Sequence, residues 1–127
     1  MRGRILVVDD EEDICRLLLR SLALEGFEVA AARSGREALA IVEKEPPDLI
    51  VLDLAMPEMD GLETLRGIRA RGGNSKVVVL TAYGTAQRLR EATALGVSEF
   101  LGKPFDLDRL IRVIVEEVEG RALRLAG

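Results

Sequence analysis

Residues 49–53 read Leu-Ile-Val-Leu-Asp, four aliphatic side chains in a row followed by a carboxylate. A continuous apolar run of this length is typical of a strand that is covered on both faces, because a strand with one face in water alternates apolar and polar residues. We therefore predict a buried strand at residues 49–52. Strands of this kind belong to parallel sheets that lie between two layers of helices.

Four further apolar runs surround this one along the chain, at residues 4–8, 27–31, 77–80 and 98–101. The segments between them carry apolar residues at helical spacing. Strands that alternate with helices in this way form right-handed crossovers and a parallel sheet. The predicted fold class is therefore α/β, a doubly wound (βα)₅ flavodoxin-like sandwich whose five-stranded parallel sheet has the order 2-1-3-4-5.

Capping residues mark where several helices begin. Ser34 and Glu37 form a capping box that starts the second helix, and Asp106 is placed to cap the fifth. The third helix is predicted at about residues 62–70 and the fourth at about residues 85–95. The second, third and fourth helices would each return the chain to the start of the next strand.

The composition is that of one folded domain. The chain has 127 residues, of which 48% are hydrophobic and 31% are charged, enough apolar material for a core and too much for a disordered chain. We predict a single domain over residues 1–120. Residues 121–127 are predicted to form a C-terminal tail or the start of a linker.

Charge and residue usage argue against several classes of function. The formal net charge is -4 and no basic cluster is present, which argues against direct binding of nucleic acid. Histidine is absent, which excludes Ser-His-Asp catalysis and imidazole metal ligands. A single cysteine, Cys15, and the lack of a signal peptide or a long apolar run predict a cytoplasmic protein that does not cross a membrane.

Polar side chains follow four of the five predicted strands. Asp9 and Asp10 come after the first strand, Asp53 after the third, Thr81 after the fourth, and Lys103 shortly after the fifth. The carboxyl ends of parallel strands meet at one edge of the sheet, where ligands bind. The second strand lacks such a residue, as expected for an edge strand away from the crevice.

Three carboxylates in one crevice predict a bound cation. They would repel one another unless a cation neutralised them, and Mg²⁺ suits a site made only of oxygen ligands and water. We predict Asp10, Asp53 and the backbone carbonyl of Ala55 as ligands, with Asp9 acting through water. The alternative for each aspartate is a helix N-cap, and Asp10 could cap the first helix.

A metal beside a lysine favours phosphoryl transfer. Both cations can hold the oxygens of a transferring phosphoryl group while a carboxylate attacks phosphorus in line. Asp53 is the predicted nucleophile, since it stands alone after a central strand. Thr81 can donate its hydroxyl to a phosphoryl oxygen, and Lys103 supplies the ammonium; the alternatives are an ordinary strand-end threonine and a solvated lysine at the rim.

Four motifs, each at the end of its strand, resemble those of the receiver domains of two-component response regulators. They are Val8-Asp9-Asp10-Glu11, the segment from Leu52 to Gly61, Thr81-Ala82, and Lys103-Pro104-Phe105. Residues 81–85 and 103–108 are similar to receivers of the nitrogen-regulation type. The family likeness further implies that the peptide bond between Lys103 and Pro104 is cis.

The resemblance implies a role for each residue of the set. Asp9 and Asp10 match the acidic pair, Asp53 the phosphoacceptor, Thr81 the switch hydroxyl and Lys103 the phosphate-binding lysine. The implied donor is a phosphohistidine on a sensor histidine kinase or a histidine phosphotransfer protein. The module then removes its own phosphoryl group with Mg²⁺, so it is not a conventional enzyme.

Aromatic switch residues are also implied by the family pattern. Phe100 occupies the place of an aromatic that turns inward when Thr81 moves, although a buried strand phenylalanine is an equal interpretation. Tyr83 is a second switch candidate. The implied output surface consists of the fourth helix, the fifth strand and the fifth helix, through which a partner or a second copy would bind.

Three other functions fit parts of the pattern. A phosphohydrolase of the haloacid-dehalogenase type also forms an aspartyl phosphate. That family requires a second aspartate, acting as acid and base, two residues after the nucleophile, and this chain has Ala55 at that position. A nucleotide or cobalamin binder needs glycine amides in the first turn, which here reads Asp-Asp-Glu-Glu-Asp. A degenerate receiver acting only as a binding scaffold would not need the complete set of site residues.

Overall fold

The computed structural model describes residues 2–56, 60–71, 73–82 and 84–120. Within these residues five strands alternate with five helices. In chain order they are β1 (Arg4–Val8), α1 (Glu12–Leu24), β2 (Glu28–Ala32), α2 (Gly35–Lys44), β3 (Leu49–Leu52), α3 (Gly61–Ala70), β4 (Lys76–Thr81), α4 (Ala86–Ala94), β5 (Val97–Gly102) and α5 (Leu107–Glu119). The predicted tail at 121–127 lies outside the described residues.

The five strands form one parallel sheet of order β2-β1-β3-β4-β5, which confirms the predicted fold class. All four residues of β3 are buried, as its unbroken apolar run predicts. Val8 pairs with Leu52, and Leu52 with Val79, so the carboxyl ends of the three central strands lie side by side. β2, which ends without a functional side chain, lies at the edge.

Two helical layers cover the sheet. Ile5 and Val7 point to the face covered by α1 and α5, whereas Leu6 and Val8 point to the face covered by α2, α3 and α4. This alternation buries aliphatic side chains on both sides and explains why the strands read as continuous apolar runs. Across the described residues, no helix has the length and apolar character that crossing a bilayer requires.

Strand ends differ slightly from the prediction. The second strand was predicted at 27–31 but begins at Glu28, because the Phe27 amide donates instead to the Leu22 carbonyl in the turn that ends α1 (3.1 Å). Phe27 is buried, and the guanidinium of Arg2 lies 5.3 Å from the centre of its ring. β4 and β5 extend past their apolar runs because backbone pairing continues into polar and glycine residues.

The predicted helix caps are present. The Ser34 side chain accepts a hydrogen bond from the Glu37 amide, and the Asp106 side chain accepts one from the Arg109 amide. Asp60 caps α3 in the same way, which places the start of that helix one residue before the predicted position. These caps fix the loops that follow the strand ends.

Gly61 is required where α3 passes the end of β3. A Cβ atom at this position would lie 2.3 Å from the Asp53 carbonyl oxygen and 2.5 Å from the Cα of Leu54. Both are backbone atoms, which cannot move aside as a flexible side chain can. The Gly61 amide also donates to the Leu54 carbonyl, so the close approach is part of the turn itself (3.0 Å).

Gly61→Ala is therefore expected to lower the free energy of unfolding by roughly 1–3 kcal/mol, since overpacking must be relieved by moving backbone. Chemical denaturation measures this change. Gly102→Ala is the matched control, because a Cβ there meets nothing within 4 Å. An equal loss of stability in the two variants would contradict the steric explanation.

Candidate functional site

Three carboxylates meet at the carboxyl edge of the sheet. One oxygen from each of Asp9, Asp10 and Asp53 lies within 4.8 Å of the others. Asp9 is 2% exposed and Asp53 is 4% exposed, whereas Asp10 is half-buried. The structure thus brings together the acidic residues that the sequence predicted as a group.

The backbone fixes the direction of the two buried carboxylates. Asp9 Oδ1 accepts a hydrogen bond from the Glu11 amide at 2.9 Å, and Asp53 Oδ1 accepts one from the Ala55 amide at 3.0 Å. In each residue the other oxygen, Oδ2, is the one that faces the lysine. The N-cap of α1 is Glu11, so the alternative in which Asp10 caps that helix is wrong.

Lys103 crosses the crevice and joins the acids. Its ammonium lies 2.8 Å from Asp9 Oδ2 and 3.1 Å from Asp53 Oδ2, and it also lies 2.6 Å from Glu11 Oε2. Only 12% of the Lys103 side chain is exposed, so the alternative of a solvated lysine at the rim is wrong. The Lys103 amide donates to the Thr81 carbonyl at 3.1 Å, which continues the pairing of β4 and β5.

Burial and charge act on the protonation of this cluster. Burial alone lowers the pKa of Lys103, but hydrogen bonds to Asp9, Glu11 and Asp53 outweigh it and raise the pKa above the ordinary value of 10.5. The lysine is therefore a cation throughout the physiological range. Burial raises the pKa of Asp9 above its usual value of 3.8, and the hydrogen bonds from Lys103 and the Glu11 amide oppose this rise.

Three of the remaining predicted residues, Thr81, Ala55 and Phe100, lie in the described part of the chain. Thr81 is buried at the end of β4, where it pairs with Gly102. Ala55 is exposed and lines the crevice. Phe100 is half-buried and packs against the apolar cluster beneath α4, while Tyr83 lies outside the described residues.

The peptide bond between Lys103 and Pro104 is cis, as the family resemblance implied.

A cavity of about 750 Å³ opens above the acids. Its floor is charged and its walls are largely aliphatic and aromatic. The lining residues are Asp10, Glu11, Ile14, Leu17, Asp53, Ala55, Ala82, Lys103, Pro104, Phe105 and Leu107. Its size is within the usual range for a small-molecule site and leaves room for a phosphoryl group above Asp53.

The donor set fits a hard divalent cation. All the donors are carboxylate oxygens close enough to share one ion, and two of them belong to buried side chains. Such oxygens are the ligands that Mg²⁺ prefers, and a half-open site leaves positions for water. The described cluster holds one ammonium and four carboxylates, three of which contact that ammonium, so it keeps an excess of negative charge.

Two residues that make contacts near the site, Glu11 and Arg88, were not predicted from the sequence. Glu11 was given no role of its own from the sequence, yet its carboxylate binds Lys103. Arg88 of α4 was not considered, yet it donates to the Leu54 carbonyl at 2.8 Å and pairs with Asp60 at 3.3 Å. The position of Glu11 beside the acidic pair was a usable signal. Arg88 gave none, since the residues it contacts lie about thirty positions away in the chain.

A doubly wound sheet with an acidic, lysine-bridged crevice at its carboxyl edge defines a class of α/β domains built to handle phosphoryl groups. The family model of the response regulator receiver domain matches residues 5–115. The chain therefore belongs to the receiver domain family of response regulators, and the predicted resemblance is confirmed.

Known relatives are similar over most of the chain. It is 40% identical over 110 residues to sporulation initiation phosphotransferase F of Bacillus subtilis, covering 87% of this chain and 89% of that protein. It is 36% identical over 122 residues to regulatory protein AtoC of Escherichia coli, covering 96% of this chain. The chain spans only 26% of the length of AtoC.

Solved structures show the same fold. Chemotaxis protein CheY4 of Vibrio cholerae superposes with a TM-score of 0.82 at 32% identity, covering 88% of this chain and 95% of that one. NtrX of Brucella abortus gives a TM-score of 0.85 at 34% identity, covering 99% of this chain and 29% of that one. These likenesses favour the receiver interpretation over the phosphohydrolase and nucleotide-binding alternatives.

Proposed function

We propose that this receiver accepts a phosphoryl group on Asp53 from a phosphohistidine of a sensor histidine kinase or a histidine phosphotransfer protein. The observation that carries the proposal is the buried Asp53 carboxylate, held by the Ala55 amide on one oxygen and by Lys103 on the other. A carboxylate fixed in this way at the floor of an open cavity is positioned to attack an incoming phosphorus atom.

The transfer exchanges one bond to phosphorus for another. An Asp53 oxygen forms a bond to phosphorus while the bond from phosphorus to the donor nitrogen breaks, and that nitrogen leaves with the electron pair. The Lys103 ammonium and the Thr81 hydroxyl bind phosphoryl oxygens. Asp10, Asp53 and the Ala55 carbonyl would hold Mg²⁺, with Asp9 acting through water. When bound, the ion neutralises charge on the carboxylates and on the phosphoryl group.

Hydrolysis restores the starting carboxylate. A water molecule attacks phosphorus and the bond from phosphorus to the Asp53 oxygen breaks, releasing inorganic phosphate. The chain is thus both substrate and catalyst for one cycle, and not a conventional enzyme. Ala55 offers no side-chain group to orient that water, a feature that supports slow hydrolysis.

The proposed output is a change at the surface of α4, β5 and α5. Movement of Thr81 towards the phosphoryl group would leave space for Phe100 to turn inward, and this would alter binding to a partner or to a second copy in a homodimer. Tyr83 is proposed as a second switch residue of this change.

The proposed location of the protein is the cytoplasm.

Incubation with Mg²⁺ and phosphoramidate tests the proposed function, because this donor carries a phosphorus-nitrogen bond as phosphohistidine does. Intact mass spectrometry is expected to show one added phosphoryl group, which is absent when a chelator removes Mg²⁺. Many turnovers on a free phosphomonoester would instead favour the phosphohydrolase. An unchanged mass under conditions that modify a known receiver would overturn the proposal.

A further inference from the structure

Glu11 contacts the site lysine without belonging to the predicted acceptor or metal set. Its Oε2 lies 2.6 Å from Lys103 Nζ, nearer than the Asp9 oxygen at 2.8 Å or the Asp53 oxygen at 3.1 Å. Glu11 is the N-cap residue of α1, and its amide is fixed by Asp9. The backbone of Glu11 is therefore held beside the crevice, while its side chain can leave the lysine.

The hydrogen-bonding capacity of Lys103 is full in this arrangement. An ammonium has three N–H donors, and three carboxylates, from Asp9, Glu11 and Asp53, lie within hydrogen-bonding distance. An incoming phosphoryl oxygen can bind the lysine only if one of these carboxylates gives up its place. The order in which they can leave depends on what each loses.

Glu11 can leave most easily because it can return to water. Its side chain is 56% exposed, whereas those of Asp9 and Asp53 are 2% and 5% exposed. A buried carboxylate that loses its ammonium partner pays a large desolvation cost, and an exposed one is hydrated again at little cost. Glu11 is thus the exchangeable partner of the lysine.

We propose that Glu11 is a positioning residue that holds Lys103 in the unphosphorylated protein and releases it to the incoming phosphoryl group. The inference rests on the proposed function of Asp53. Breaking the contact lies on the way to phosphorylation, so Glu11 slows that step. Hydrolysis starts from a state in which Lys103 already binds the phosphoryl group, so Glu11 does not affect it.

Two variants distinguish the effect of the contact between Glu11 and Lys103 from the effect of the negative charge of Glu11. Glu11→Gln keeps the shape and removes the charge, whereas Glu11→Asp keeps the charge on a side chain too short to reach the lysine. Glu12→Gln is the matched control, since it removes the same charge one residue along, from a side chain that pairs with Arg16 and Arg33 away from Lys103. All the proteins are compared at saturating phosphoramidate in buffer of high ionic strength, which screens exposed charges.

Both Glu11 variants are expected to raise the maximal phosphorylation rate constant by roughly threefold to tenfold, the size expected for loss of a partly exposed charged hydrogen bond. Their hydrolysis rate constants should equal that of the wild type, and Glu12→Gln should match the wild type in both steps. A purely structural perturbation would move both steps together.

Distinct results would overturn the two proposals. If wild type takes up no phosphoryl group, both the role of Asp53 and that of Glu11 fail. If wild type is modified but the Glu11 variants react at its rate, or Glu11→Gln is no faster than Glu12→Gln, only the inference about Glu11 fails. If Glu11→Gln is fast but Glu11→Asp reacts at the wild-type rate, the negative charge of Glu11 matters and its contact with Lys103 does not. That result also overturns the inference about Glu11.

Discussion

Asp53→Asn is expected to abolish phosphoryl uptake, lowering the rate by at least about a thousandfold, as loss of an essential nucleophile does. The amide oxygen that replaces the carboxylate is a poor nucleophile. The asparagine side chain has the same shape as the aspartate, so its oxygen can still accept the hydrogen bond that the Ala55 amide gives to Asp53. The measurement is the rate at which mass increases with Mg²⁺ and phosphoramidate.

Stability measurements show whether this variant is folded. Asp53→Asn removes one of three crowded negative charges, so the free energy of unfolding should stay equal or rise by about 1 kcal/mol. Asp13→Asn is the control, because it makes the same change at an exposed position in the first turn of α1. Phosphorylation of Asp53→Asn at the control rate would show that another residue is the acceptor.

The acidic crevice could be predicted from the sequence because its geometry follows from a few local facts. Asp9 and Asp53 come directly after buried apolar runs, and strands of a parallel sheet place their carboxyl ends at one edge. Once the order of the strands was right, the two residues had to be neighbours. The same logic placed Thr81 at the end of β4, at this edge of the sheet, and Lys103 beside the acids.

Side-chain direction could not be predicted in this way. Glu11 lies at the start of α1, where an acid is explained equally well by the helix dipole. Its contact with Lys103 depends on the side chain leaning back over the crevice. Arg88 reaches the Leu54 carbonyl through tertiary packing between α4 and the loop after β3, and no periodicity of apolar residues contains that information.

The prediction of strand boundaries was limited because tertiary contacts help to set them. Phe27 looks like a strand residue because it is apolar and follows Gly26, but its burial belongs to the end of α1. Glu28 is charged and exposed, yet it pairs with Arg4 as the first residue of β2. Hydrophobic pattern reports burial, whereas a strand is defined by backbone pairing.

Lys103→Met is expected to weaken both the fold and the transfer. Without Mg²⁺, removing the ammonium leaves two buried carboxylates unpaired, so the free energy of unfolding should fall by about 3 kcal/mol. Phosphorylation should slow by roughly a hundredfold to a thousandfold, because one preorganised cation no longer binds the phosphoryl oxygens. Denaturation and intact mass measure the two effects.

Adding Mg²⁺ separates the effect of Lys103→Met on stability from its effect on phosphorylation. The ion and the ammonium neutralise the same carboxylates of Asp9 and Asp53, so Lys103→Met should bind Mg²⁺ more tightly than wild type and regain much of its stability. Phosphorylation should remain slow, since the ion cannot donate the hydrogen bonds that the ammonium would give to the phosphoryl oxygens. Lys44→Met, at an exposed position in the last turn of α2, is the matched control. Full recovery of the phosphorylation rate with Mg²⁺ would mean that Lys103 serves only to balance charge in the resting protein.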